Sequence, residues 1–175
     1  MATVTFKGTA FKTAGELPTL GSKAPDFKLV TSTLGEVTLK SYPKKRKVLN
    51  VFPSVDTSTC AKSVARFNKE AVHFPDVVVL NVSLDLPFAH KRFCGAEGIE
   101  RSESLSGFRS SFGKDYGVAL VDGPLAGLYS RAVIIVDFDD RILHVEHVSE
   151  IANEPNYDSA LMVLRTTTPS VIKTD

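Results

Sequence analysis

The chain has 175 residues, of which 43% are hydrophobic and 23% charged, a composition typical of one globular domain with a sizeable core. Its 21 basic and 20 acidic residues give a net charge of +1, so no attraction to nucleic acid or to a membrane surface is implied. The apolar runs are too short to span a bilayer, and the N-terminus lacks the apolar core of a secretory signal, so we predict a cytoplasmic protein. The two cysteines, Cys60 and Cys94, do not have the spacing of a zinc site, and no metal is predicted.

The first third of the chain predicts short strands and loops. A β-hairpin is expected over about residues 3–13, with strands at 4–6 and 11–13. Two further strands are predicted, at 24–30 and at 37–39. Residues 42–47 include four consecutive basic residues, and we expect them to form a solvated loop before the first core strand.

The central stretch predicts a strand–helix–strand unit with a thiol at its centre. The apolar run at 48–52 predicts a buried strand that ends at Pro53, and a polar loop leads from there to Cys60. Apolar residues at helical spacing predict a helix from about Cys60 to residue 73, and the valine-rich run Val77–Ser83 predicts a second buried strand parallel to the first. A thiol in the first helical turn lies near unpaired backbone N–H groups and the positive end of the helix dipole, which both favour the thiolate.

The second half of the chain predicts three helices and two strands. Proline opens the first of these helices at Pro87, and Gly95 lies just past its expected end. Residues 166–175 show no clear pattern. The whole predicts an α/β, thioredoxin-like fold with a central mixed β-sheet flanked by helices, in a single domain covering residues 1–175. The predicted helices are 87–94, 110–116 and 160–164; the predicted strands are 131–137 and 142–148; a polar loop is expected from 105 to the second helix.

Three residues have side chains that suit a reactive Cys60. Thr57 lies three positions upstream, where its hydroxyl can donate to the thiolate or cap the helix. Pro53 has no N–H and can shield one side of the thiol. Arg131 opens an apolar strand, as either a cation for the thiolate or a surface charge. The chain has no Cys-x-x-Cys motif and no histidine in a catalytic setting, which excludes a thioredoxin-type exchange site and a cysteine protease.

These residues resemble a known family. The pattern Pro53-x-x-x-Thr57-x-x-Cys60 matches the active-site signature of peroxiredoxins. The segments Asp-Leu-Pro-Phe-Ala from residue 85 and Arg-Phe-Cys-Gly-Ala-Glu-Gly from residue 92 resemble the bacterial thiol peroxidase subfamily in particular. The resemblance covers roughly residues 2 to 164.

The resemblance implies a role for each of these residues. Cys60 would be the peroxidatic cysteine and Cys94 the resolving cysteine, while Thr57 and Arg131 would orient the peroxide and stabilise the thiolate under the shield of Pro53. The implied activity is antioxidant defence: hydrogen peroxide and alkyl hydroperoxides are reduced through a sulfenic acid and an intramolecular disulfide, which thioredoxin recycles. The resemblance also implies a homodimer. No metal, haem or flavin motif appears in the sequence, so we expect sulfur to carry the chemistry without a cofactor.

Two other functions stay open at this point. The same cysteine pair would serve a redox sensor or disulfide-relay protein, and a structural protein would hold an inert disulfide. If the pair does form a disulfide, we expect the Cys60 turn or the Cys94 helix to unwind partly, with Gly95 and Gly98 as flexible exits. Phe88, Leu105 and Phe108 are candidates for a dimer contact, an acyl-peroxide pocket or the local core.

Overall fold

A computed structural model describes residues 1–167 and shows a nine-stranded, four-helix arrangement over that range. The strands are β1 (Thr3–Phe6), β2 (Thr9–Lys12), β3 (Leu29–Thr31), β4 (Glu36–Val37), β5 (Arg46–Val51), β6 (Val77–Ser83), β7 (Glu103–Ser106), β8 (Ala132–Val136) and β9 (Ile142–His147). The helices are α1 (Ser58–Glu70), α2 (Pro87–Glu97), α3 (Phe112–Asp115) and α4 (Tyr157–Thr166), with short 3₁₀ turns at Leu39–Ser41 and Ala71–His73.

Seven of these strands form one mixed sheet in the order β4-β3-β7-β6-β5-β8-β9, while β1 and β2 pair as the predicted hairpin. The central strands β5, β6 and β7 are parallel, and β3, β8 and β9 pair antiparallel with their neighbours. The strand–helix–strand unit around Cys60 therefore has the predicted parallel geometry. The predicted mixed sheet flanked by helices is confirmed.

Both faces of the sheet are covered, because strand alternation sends successive apolar side chains of β5 to opposite sides. Leu49 and Val51 belong to a core on one face, which includes Phe112 of α3. Val48 belongs to the core on the other face, where Phe67 of α1 and residues of α4 pack. A central strand buried on both faces holds the residues at its C-terminal end in fixed positions.

The prediction of a solvated basic loop at residues 42–47 is wrong in part. Arg46 and Lys47 begin β5 itself and are buried. The Arg46 Nε donates to the Asp76 carboxylate over 2.6 Å, and the Lys47 Nζ lies 3.1 Å from Oδ1 of Asp140. Each buried cation is tolerated because a carboxylate meets it.

Several other boundaries differ from the prediction, including the strand expected at 37–39, which is β4 (Glu36–Val37) followed by a 3₁₀ turn that begins at Leu39. The strand expected at 24–30 is shorter and begins only at Leu29, as β3 (Leu29–Thr31), and the Pro25 carbonyl ahead of it accepts a hydrogen bond from the Tyr116 hydroxyl. The stretch at Glu103–Ser106 is strand β7 and not a loop. Gly95 lies inside α2, and Gly98 ends the helix in the left-handed conformation. The unpatterned tail predicted at 166–175 lies outside the described residues from 168 onward, and the prediction of one domain over 1–175 stays a prediction.

Candidate active site

Cys60 lies at the third position of α1 and is completely buried. Its Sγ accepts a hydrogen bond from Nη2 of Arg131 over 3.2 Å. Arg131 directly precedes β8, the strand that pairs with β5, so the sheet brings this side chain under the start of α1. Arg131 is therefore a buried cation in contact with the thiol and not a surface charge.

The other guanidinium nitrogens of Arg131 define its orientation. Nε donates to the Ile151 carbonyl over 2.9 Å. Nη1 is buried and has no hydrogen-bond partner within residues 1–167. A guanidinium in a fixed orientation, with one donor still available, suits the binding of a small oxygen-bearing ligand beside the sulfur.

An open pocket of about 210 Å³ lies beside this pair: Arg131 lines it, whereas the buried Cys60 does not. Pro53 and Thr57, the two other predicted site residues, line it together with Arg131. The remaining lining residues are mainly apolar: Phe6, Leu125, Leu128 and Ile151, with Ser54, Thr59 and Ala152. The structure thus brings Pro53, Thr57, Cys60 and Arg131 together, as the sequence motif predicts.

The Thr57 hydroxyl differs from the expectation in its hydrogen bond. Thr57 is the N-cap residue of α1, but its side chain makes no capping bond and donates instead to the Ser54 carbonyl over 3.1 Å. That bond closes a tight turn ahead of the helix. The hydroxyl therefore stays in the pocket lining, where it can accept a hydrogen bond from a ligand.

Cys94 is located on α2 and is partly exposed, and both cysteines are free thiols. Its Sγ lies 3.3 Å from Oγ of Ser104 on β7. Cys94 packs against the same small apolar cluster that contains Cys60 and includes Phe52, Val64 and Phe93. The two thiols thus lie on separate helices that share one patch of core.

Sequence reasoning missed Asp85, which anchors the loop between β5 and α1. Its carboxylate accepts hydrogen bonds from Oγ of Ser54 (2.8 Å), from the backbone N–H of Val55 (2.9 Å) and from Oγ of Ser83 (2.6 Å). The Ser83 hydroxyl is in turn 3.1 Å from Nε2 of the buried His90 on α2. Asp85 opens the Asp-Leu-Pro-Phe-Ala segment, so its signal in the sequence is its place in a segment that resembles the thiol peroxidase subfamily.

The apolar residues singled out at the sequence level have different locations. Leu105 is fully buried in the sheet core, whereas Phe88 and Phe108 are 66% and 44% exposed. None of the three lines the pocket that Arg131, Pro53 and Thr57 line. No helix within residues 1–167 is long and apolar enough to cross a membrane, and no cluster of metal-binding side chains occurs in that part of the chain.

Known proteins resemble this chain over most of its length. The Redoxin family matches residues 19–161. The thiol peroxidases of Mycobacterium bovis and Mycobacterium tuberculosis are each 50% identical to this chain over 164 residues, which is 94% of this chain and 99% of theirs.

Solved structures give the same result for the fold. A peroxiredoxin-like protein from Aquifex aeolicus superimposes with a TM-score of 0.89 at 34% identity, covering 94% of this chain and 96% of its own. Thiol peroxidase from Chromobacterium violaceum superimposes with a TM-score of 0.85 at 23% identity, covering 93% and 95%, which shows the fold alone. The predicted thioredoxin-like fold is confirmed.

Proposed function

The chain belongs to the Redoxin family and is a peroxiredoxin peroxidase. From that premise we propose that it reduces hydrogen peroxide and alkyl hydroperoxides at Cys60, and that Cys94 is the resolving cysteine. The observation that carries the proposal is the contact between the Cys60 sulfur and the Arg131 guanidinium, which lines a pocket together with Pro53 and Thr57. A buried arginine is always charged, and a thiolate is the form of the sulfur that compensates this charge.

The first step oxidises the sulfur. The Cys60 thiolate attacks one oxygen of the peroxide, the O–O bond breaks, and the other oxygen leaves as water or an alcohol after taking up a proton. Nη1 of Arg131 is available to donate to a peroxide oxygen while Nη2 holds the sulfur, and the Thr57 hydroxyl is available to accept the peroxide's hydrogen. Pro53 covers the site without adding a competing N–H donor.

The second step involves Cys94. Its thiol attacks the Cys60 sulfenic acid, an S–S bond forms, and water leaves. The shared apolar cluster of the two cysteines supports this pairing. Thioredoxin, the reductant we propose, then reduces the disulfide by two electrons and returns both thiols.

The setting of the enzyme is part of the same proposal. We expect antioxidant defence in the cytoplasm, and a homodimer. The exposed aromatic rings of Phe88 and Phe108 are available for a contact between subunits.

Peroxide consumption coupled to thioredoxin, thioredoxin reductase and NADPH tests this function with the wild type, Cys60→Ser and Cys94→Ser. We expect Cys60→Ser to be inactive, and Cys94→Ser to form a sulfenic acid that dimedone traps, without turnover through thioredoxin. Full thioredoxin-linked turnover by Cys94→Ser would exclude its resolving role. A wild type that reacts once and does not turn over would favour the redox-sensor function instead.

A further inference from the structure

One carboxylate fastens the N-terminal hairpin beside the pocket. Oε1 of Glu150 accepts hydrogen bonds from the backbone N–H groups of Lys7 (3.0 Å) and Ala152 (3.1 Å). Oε2 accepts from the Thr5 hydroxyl (2.8 Å) and from the N–H of Gly8 (3.1 Å). Glu150 thus binds three of the four residues from Thr5 to Gly8.

Backbone hydrogen bonds on both sides of Glu150 reinforce this attachment. The Thr5 N–H donates to the Ser149 carbonyl over 2.7 Å, and the Ile151 N–H donates to the Thr5 carbonyl over 2.8 Å. Phe6 lies between Thr5 and Lys7, two of the three hairpin residues that Glu150 binds. The backbone is therefore held on both sides of Phe6.

The segment that carries Glu150 also contacts the reactive centre. The Ile151 carbonyl accepts from Nε of Arg131, and the Ala152 carbonyl accepts from the Thr59 hydroxyl over 3.0 Å. Residues 149–152 therefore join the hairpin on one side to the surroundings of Cys60 on the other.

The pocket is larger and more apolar than hydrogen peroxide requires. A water molecule, which is similar in size, occupies about 30 Å³ in the liquid, whereas the pocket has about 210 Å³. Phe6 of the hairpin lines it together with Leu125, Leu128 and Ile151. Phe6 and Leu125 pack against one small cluster that includes Ile151, so the apolar wall depends on the hairpin's position.

We propose that Glu150 is a positioning residue for specificity: it holds the hairpin so that Phe6 completes an apolar wall for the organic group of an alkyl or aryl hydroperoxide. The inference rests on the proposed function and names a residue that sets the preference between the two substrate classes of the same site. Hydrogen peroxide has no organic group and gains nothing from this wall. Substrate discrimination, and not reactivity of the thiol alone, is therefore the property that Glu150 determines.

The test compares kcat/KM for cumene hydroperoxide with kcat/KM for hydrogen peroxide in the thioredoxin-coupled assay. Glu150→Gln places an amide N–H₂ against a backbone donor and loosens the hairpin. Phe6→Ala removes the wall and leaves Glu150 in place. We expect the cumene-to-hydrogen-peroxide ratio to fall about tenfold in both variants, mainly through a higher KM for cumene hydroperoxide.

Glu154→Gln is the matched control, because Glu154 is exposed and, within residues 1–167, accepts a side-chain hydrogen bond only from the Tyr157 hydroxyl. Its ratio should equal that of the wild type. An unchanged ratio in Glu150→Gln, or an equal fall for both peroxides, would overturn the inference. If Glu150→Gln does not fold, the test relies on Phe6→Ala, because an unchanged cumene-to-hydrogen-peroxide ratio in that variant would also contradict the inference. A wild type that reduces neither peroxide would instead refute the proposed function.

Discussion

Nη2 of Arg131 donates to Sγ of Cys60 over 3.2 Å, in a pair that is almost completely removed from solvent. We predict that Arg131→Lys slows the reaction of reduced protein with hydrogen peroxide at least about 100-fold, the usual cost of one lost donor at a reacting centre. A lysine ammonium is a single point charge and cannot bind the Ile151 carbonyl and the sulfur with the fixed fork of a guanidinium. The rate constant is measured by rapid mixing and dimedone trapping of the sulfenic acid.

Arg141→Lys is the control for this substitution, because Arg141 is exposed and donates to the Gly21 carbonyl far from the site. It should react like the wild type. A rate constant for Arg131→Lys within threefold of the wild-type value would show that the guanidinium is not needed at the sulfur.

The carboxylate of Asp85 supports the second prediction. Asp85→Asn should slow the same peroxide reaction about tenfold, because an amide cannot accept all three hydrogen bonds from Ser54, Val55 and Ser83. The loop that carries Pro53 and Thr57 then shifts relative to the sulfur, and small misplacements at a reacting centre are costly. Asp122→Asn serves as the control, since Asp122 accepts a hydrogen bond from the Lys12 N–H at an exposed site. Equal rates of the peroxide reaction in Asp85→Asn and Asp122→Asn would show that Asp85 does not position the site.

Local patterns in the sequence predicted the strand–helix–strand unit, and the motif around Cys60 predicted which residues meet there. Long-range pairing decided the rest. Arg46 and Lys47 looked solvated because their carboxylate partners lie 30 and 93 positions away along the chain. Glu150 gave no signal for the same reason, since its partners on the hairpin are 142 to 145 positions distant. No local pattern reports such contacts.

The missed strand β7 has a related cause. Its sequence Glu-Ser-Leu-Ser contains one apolar residue, Leu105, so alternation is too weak to indicate a strand. It becomes a strand because β6 and β3 offer hydrogen-bonding edges on both sides. Ser104 is buried there, with its hydroxyl against the Cys94 sulfur.

A stability prediction concerns two glycines that both have positive φ. Gly117→Ala should lower the free energy of unfolding by about 2–4 kcal/mol, because it adds the left-handed backbone penalty to a clash of the new methyl with the Glu16 backbone. Gly8 has a φ of +80°, similar to the +70° of Gly117, and a methyl there meets no atom within 4 Å. Gly8→Ala should therefore lower the free energy of unfolding by only about 1–2 kcal/mol. Denaturant unfolding of both variants isolates the clash. Equal losses would show that the Glu16 backbone moves aside freely.

His90 makes the stability of the protein depend on pH. Burial lowers the pKa of His90, and this desolvation outweighs the opposing effects of the Asp85 charge and the Leu105 carbonyl. In the unfolded chain His90 takes up a proton near pH 6.5, whereas in the folded chain it stays neutral to a lower pH. The free energy of unfolding therefore falls as the pH drops below about 6.5. The slope from this one group is at most about 1.4 kcal/mol per pH unit.

His90→Gln should therefore flatten the dependence between pH 7.5 and 5, measured by urea unfolding. Some dependence remains, because burial also lowers the pKa of His144 and His147. His73→Gln alters an exposed histidine and is expected to keep the wild-type slope. A slope in His90→Gln as steep as that of His73→Gln would contradict the assignment.

The last prediction tests whether α2 must unwind before Cys94 reaches Cys60. Gly95 lies inside α2 and is exposed, and a methyl there meets no atom within 4 Å, so Gly95→Ala should stabilise the helix by about 0.5–1 kcal/mol. Gly98 ends the helix at φ +64°, and its N–H donates to the Cys94 carbonyl. A methyl there again meets no atom within 4 Å, so the cost of Gly98→Ala is the left-handed backbone penalty alone, and this helix end should be weakened by about 1–2 kcal/mol. The same chemical change therefore acts in opposite directions at two positions beside one thiol.

If disulfide formation requires unwinding, its first-order rate should fall a few-fold in Gly95→Ala and rise about fivefold or more in Gly98→Ala, since 1.4 kcal/mol corresponds to a factor of ten. The chain has no tryptophan, so the rate is followed by rapid quenching, alkylation of remaining thiols and mass spectrometry. The peroxide step at Cys60 provides the internal control in each variant, because neither glycine belongs to α1 or to the pocket. Rates of disulfide formation that shift in the same direction, or not at all, would place the motion in the Cys60 turn and not in α2.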